Sequence, residues 1–180
     1  TTNGGDVTYW ADSDGANGGY VWFKGGSIDT TTAANIVVSG GNVTSAALTT
    51  SGSALGMTTG NANGITLDAV SMYSRGGNIT LRGTSSTGAP VSFANSDAPS
   101  SSNVNGIRSF GSVMLDSGTG LLNVWGYAQG SGSTTSTNGI ELNGSTTLKS
   151  ASASANAITM TGIAMSTSVA NSWGLYLRSG

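Results

Sequence analysis

The chain has no His and no Cys, so a Ser-His-Asp triad, a thiol nucleophile and the common zinc sites cannot be built from it. Carboxylates remain: Asp6, Asp12, Asp14, Asp29, Asp68, Asp97, Asp116 and Glu141. Two of them flanking one bond would suit a polysaccharide-cleaving enzyme. Asp68 and Asp116 fall in different kinds of sequence run, and Glu141 stands alone in its own, so no catalytic residue is assigned. Asp12-Ser13-Asp14-Gly15 looks like half of a calcium loop, but Phe23 stands at the twelfth position, where an acid is needed. Asp12 and Asp14 are therefore weak calcium candidates, a plain turn is the better reading, and no cofactor is expected.

Binding chemistry is better represented. Trp10, Arg82 and Trp125 share the outward position of one recurrent run, and Trp22 is outward in another, with Tyr20 and Tyr176 beside that position. Aromatic rings on an outer face can stack on sugar rings or on another protein, because large exposed apolar patches mark interfaces. These five residues, Trp10, Trp22, Arg82, Trp125 and Tyr176, are the ligand or interface candidates.

The elements that carry them are short and repetitive. One word, G-N-I-T-L-x-G, occurs as Gly77-Asn78-Ile79-Thr80-Leu81-Arg82-Gly83 and again as Gly120-Leu121-Leu122-Asn123-Val124-Trp125-Gly126. Weaker copies place Val7, Ile36 and Ile158 at the same position, at spacings of 29, 43, 43 and 36 residues along the series. A second word, N-G-I-x-L, covers Asn63 to Leu67 and Asn138 to Leu142, with variants at Asn105-Gly106-Ile107 and Trp173 to Leu177. A third run lies between them, as Val70-Ser71-Met72-Tyr73-Ser74 and Val113-Met114-Leu115-Asp116-Ser117. The alternation of apolar and polar residues within each word has the period of a strand. The Gly, Ser, Asn and β-branched content disfavours helix.

Three short strands cannot bury a core alone, but stacked repeats can, each strand pairing with its equivalent one repeat along. The expected fold is all-β: a right-handed parallel β-helix, three strands per coil, with variable loops such as 84–104 and 128–137. Residues 1–180 form one domain in this reading, an internal segment of a longer repetitive chain. One core ladder should run through Val7, Ile36, Ile79, Leu122 and Ile158, another through Ile65, Ile107, Ile140 and Leu175. Asn63, Asn105 and Asn138 should stack as an amide ladder. The glycines that follow them are expected at tight corners with positive φ.

Charge narrows the partners. Only 8% of residues are charged and the net charge is -2. The six basic residues are scattered, which leaves no footprint for nucleic acid. No apolar run approaches the ~20 residues that span a bilayer, so membrane insertion is not expected. An open repeat stack would leave strand edges unpaired at both ends, so the expected partners are neighbouring repeats or head-to-tail copies of the chain. Host or matrix glycans are the other candidate partners.

The words G-G-N-I-T-L-R-G at 76–83, N-G-I-T-L-D at 63–68 and V-T-Y-W-A-D-S-D at 7–14 resemble the filamentous-haemagglutinin-type exoproteins. Among these they look most like the giant β-strand-repeat surface proteins of bacteria, over essentially the whole chain. The resemblance implies a secreted, extracellular protein of the bacterial cell surface, acting in cell adhesion, biofilm or an extracellular filament and not as an enzyme. The function expected is thus a structural and adhesive fibre segment, with a carbohydrate-binding or polysaccharide-degrading β-helix protein as the alternative.

Overall fold

The structure is a computed structural model that describes residues 1–13, 18–41, 52–56, 62–85, 103–130, 136–166 and 171–178. Among these residues there is no helix, and all strands of the three sheets pair in parallel. The chain visits the sheets in turn, an arrangement consistent with a parallel β-helix or solenoid. Sheet A contains β1 (Val7–Ala11), β4 (Ile36–Gly40), β8 (Ile79–Thr84), β11 (Leu122–Gly130) and β14 (Ile158–Ser166). Sheet B contains β2 (Val21–Lys24), β6 (Ile65–Asp68), β9 (Asn103–Phe110), β12 (Ser136–Leu142) and β15 (Ser172–Leu177). Sheet C contains β3 (Ser27–Asp29), β7 (Ser71–Tyr73), β10 (Val113–Asp116) and β13 (Thr146–Lys149). The short β5 (Ala54–Leu55) joins sheet A beside β8.

Register follows the repeat. Val7 pairs with Ile36, Ile36 with Ile79, Ile79 with Leu122 and Leu122 with Ile158. In sheet B the column is Val21, Ile65, Ile107, Ile140 and Leu175. In sheet C it is Ile28, Met72, Leu115 and Leu148. Apart from their exposed last members Ile158 and Leu175, these three columns meet in one apolar core. Each fully buried aliphatic side chain contributes roughly 1.5–3 kcal/mol, and a column of them makes a one-residue slip costly because it would turn the whole set outward.

The amide ladder forms. Asn105 Nδ2 donates to Asn63 Oδ1 at 2.9 Å and Asn138 Nδ2 to Asn105 Oδ1 at 2.8 Å, all three side chains being buried. A second ladder edges sheet A: Asn35 N donates to Asp6 Oδ1, Asn78 N to Asn35 Oδ1 and Leu121 N to Asn78 Oδ1.

The glycines of the Asn-Gly words correct the expectation. Gly64, Gly106, Gly139 and Gly174 do not have positive φ. They lie where sheet B crosses sheet A: a Cβ on Gly139 would overlap the backbone of Gly162 and Ile163, and one on Gly106 the backbone of Gly83 and Tyr127. Sheet A answers with its own glycines, since a Cβ on Gly83, Gly126 or Gly162 would overlap the carbonyl of Gly106, Gly139 or Gly174. The two sheets therefore touch backbone to backbone.

The strand also changes face at that contact. Asn138 Nδ2 bonds Glu141 Oε2 at 3.2 Å, and Asn63 Nδ2 bonds Thr66 Oγ1 at 3.3 Å. Residues three apart point to opposite faces of a regular strand, so the bond requires a local bend at each glycine. Left-handed backbone is found instead between sheets B and C, at Ala69, Gly111 and Gly144 in successive circuits.

Candidate functional site

The site is built on the outer face of sheet A. Two outward columns run across β8, β11 and β14: Thr80, Asn123 and Thr159 in one, Arg82, Trp125 and Thr161 in the other. These six side chains line a groove of about 530 Å³, with Gly52 and Ser53 along one side. The side exists because β4 leaves its neighbour. Its pairing with β8 stops at Val38, and the chain returns at Gly52, which bridges Gly40, before Ala54 and Leu55 pair with Gly83 and Thr84.

The chemistry of the groove is specific to few residues. Arg82 is exposed, and among the described residues no carboxylate lines the groove. Other described basic side chains behave differently: Arg75 binds Asp29, Lys149 binds Asp116 and Arg108 lies 3.7 Å from Glu141. Trp125 is half-buried beside Tyr127, whose ring lies 6.4 Å away at an interplanar angle of 10°. The Tyr127 hydroxyl in turn reaches Met165 Sδ at 3.3 Å.

The remaining candidates are placed elsewhere. Trp10 is on sheet A, but it pairs with Ser39, outside the groove, and its Nε1 donates to the Gly41 carbonyl at 2.6 Å. Trp22 and Tyr176 share a column of sheet B with Thr66, Arg108 and Glu141. That column faces away from the apolar core, yet it is closed to solvent at Thr66 and Glu141. The Trp22 indole N–H is buried without a hydrogen-bond partner, with Lys24 Nζ 5.7 Å from its ring centre. Tyr176 stacks on Trp173 at 4.7 Å. The structure thus brings together Arg82 and Trp125 and separates Trp10, Trp22 and Tyr176 from them.

Three of the acids are held in structural contacts, Asp29, Asp116 and Glu141. Asp29 accepts from Arg75 Nε at 3.0 Å, Arg75 Nη2 at 2.6 Å and the Thr31 N–H at 2.9 Å. The Arg75 bonds first, and the Thr31 bond second, hold its pKa down at about 2. The pKa of Asp116 is lowered, first by its bond from Lys149; burial opposes that, and the Gly118 N–H adds to the lowering. Glu141 is buried and accepts from Asn138 and Asn143. Asp68 ends β6 on sheet B, Asp116 ends β10 on sheet C, so the two are on different sheets. Asp12 has left-handed backbone and one buried carboxylate oxygen without a partner, while Asp14 lies outside the described residues. Among the described residues no three acids gather as a metal would need.

Sequence reading missed Thr80, Asn123 and Ser53 as lining residues. The signal for the first two was present: each lies two residues before Arg82 or Trp125 in the same word, hence on the same strand face. Ser53 had none, since the return of the chain to sheet A follows no repeated word. No protein-family model, curated protein or solved structure matches the chain.

Proposed function

We propose that the circuits close into a right-handed parallel β-helix and that the chain is a structural and adhesive segment of an extracellular fibre, its end circuits stacking on further circuits. The observation that carries this is where apolar surface lies. Among the described residues, the large hydrophobic side chains left exposed are Tyr9 and Tyr20 in the first circuit and Ile158, Ile163, Met165, Trp173, Leu175 and Leu177 in the last. The intervening circuits expose none of this class among the described residues. Both ends also present strand edges, which natural proteins cover or use. The occupant favoured is a second copy, because the columns of sheets A and B offer at one end the aliphatic pattern that they offer at the other: Val7 and Val21 against Ile158 and Leu175. A head-to-tail contact of this kind is heterologous and propagates as a filament.

The resemblance to bacterial surface exoproteins supports the extracellular and adhesive part. Polysaccharide cleavage, the alternative, asks for two carboxylates across one bond, whereas Asp29, Asp116 and Glu141 are engaged in separate structural contacts and Asp68 lies on a different sheet from Asp116.

Sedimentation velocity over a concentration series tests the stacking. Self-association should grow with concentration and be abolished by Leu175→Lys with Leu177→Lys, which puts charges on the exposed last strand. A single monomeric species over the series, unchanged by these substitutions, would sink the reading.

A further inference from the structure

We propose that the groove over β8, β11 and β14 is a binding site for an anionic oligosaccharide, with a carboxylate of the sugar on Arg82 and a pyranose face on Trp125. This deepens the adhesive half of the function proposed above and does not depend on end-to-end stacking.

Four features lead to that ligand. The groove has the volume of an ordinary small-molecule site. Its three strands span roughly 10 Å at the usual spacing, the length of about two pyranose rings. Trp125 is half-buried, with the Tyr127 ring near-parallel to it at 6.4 Å, so part of its side-chain freedom is already lost before binding. The negative face of an aromatic ring attracts the C–H groups that line one side of a pyranose. Around it stand hydroxyls and an amide, Thr80, Thr159, Thr161 and Asn123, which can exchange hydrogen bonds with sugar hydroxyls.

Arg82 decides the charge. Among the described residues it is the only ionisable side chain that lines the groove, and no described carboxylate faces it there. Its planar fork matches a carboxylate with two parallel bonds. A nucleic acid would require several phosphate contacts, whereas this groove has one cation and the chain a net charge of -2. A peptide anchor would ask for a deeper apolar pocket than hydroxyls and a single indole provide.

The test uses the full chain at concentrations where it sediments as its smallest species, so that stacking and groove binding are read separately. Tetragalacturonate and tetramannuronate are the acidic probes, maltotetraose the neutral one and a thymidine decamer the nucleic-acid control, followed by calorimetry. At least one acidic probe should bind, at least ten-fold tighter than maltotetraose. Trp125→Ala should weaken that binding at least ten-fold, with Trp125→Phe retaining part of it. Arg82→Gln should bring the acidic probe down to the level of the neutral one. Circular dichroism establishes that each variant keeps its fold, and Lys149→Gln, on sheet C, serves as a charge change away from the groove with binding unchanged. The proposal is overturned if neither acidic probe binds, if maltotetraose or the decamer binds as tightly, or if the folded Trp125 and Arg82 variants bind like the parent.

Discussion

Gly139 and Gly26 are glycines for opposite reasons, and substitution can tell them apart. Gly139 has no left-handed backbone, but its missing Cβ makes room for Gly162 and Ile163 of the neighbouring sheet. Gly26 has a φ of 87° and open space where a Cβ would go. Asn tolerates left-handed backbone, so Gly26→Asn should shift stability by less than about 1 kcal/mol. Gly139→Ala has no flexible neighbour to yield, since the atoms it meets are backbone, and should cost about 3 kcal/mol or more. Urea denaturation of both variants checks this; equal effects would show that the backbone contact between the sheets is not what fixes Gly139. The sequence alone could not separate the two cases. An Asn-Gly pair is the ordinary signature of a tight turn, and close approach of a second backbone leaves the same letter at the position. The Asn beside it was readable because its partner is its own equivalent one repeat away, at a spacing that is visible in the chain.

At the scale of elements, the strands of sheet C are short, and ion pairs at their ends tie successive circuits together. Asp29 at the end of β3 is bound by Arg75, which follows β7, and Asp116 at the end of β10 is bound by Lys149 at the end of β13. The folded pKa of Asp29, about 2, lies below its ordinary value of 3.8. A carboxylate lowered by folding adds stability that is full above the unfolded value and is lost as pH falls toward the folded one. Thermal midpoints should therefore drop as pH falls from 3.8 to about 2, and the drop should be shallower in Asp29→Asn. Melting curves followed by circular dichroism across that window test it, and identical slopes for parent and variant would rule out the pair as a source of acid lability. The pairing of these elements was legible from their order, because run position and strand position coincide in all three sheets. Their lengths were less legible: β11 and β14 continue past the word that marks them, through Tyr127-Ala128-Gln129-Gly130 and Ile163-Ala164-Met165-Ser166. Those extensions carry no repeated letters, since there the demand is alternation alone and many residues satisfy it. The outward face of sheet B was likewise opaque. Alternation says which side chains leave the core, but not that Thr66, Arg108 and Glu141 would form a second, polar interior.

For the whole molecule, the stack is close to one-dimensional, because each circuit pairs with the one before and the one after in every sheet. Stability in such a chain is approximately a sum of circuit terms and interface terms, and an end circuit has one interface where a middle circuit has two. Local opening should therefore be graded along the axis. Amides of β8, β9 and β10, flanked on both sides, should exchange with solvent most slowly, and those of β14 and β15 faster. A parallel strand directs its amides alternately to its two neighbours, so half of those in β14 have no strand to bond on their far side among the described residues. If a second copy stacks there, this half alone gains protection when the protein is concentrated, while β8 to β10 stay unchanged. Amide exchange read by NMR at two concentrations resolves the two populations within one strand. Uniform exchange across all circuits would mean that the stack opens as one unit, and a graded pattern that ignores concentration would leave the end circuits without a partner of this kind.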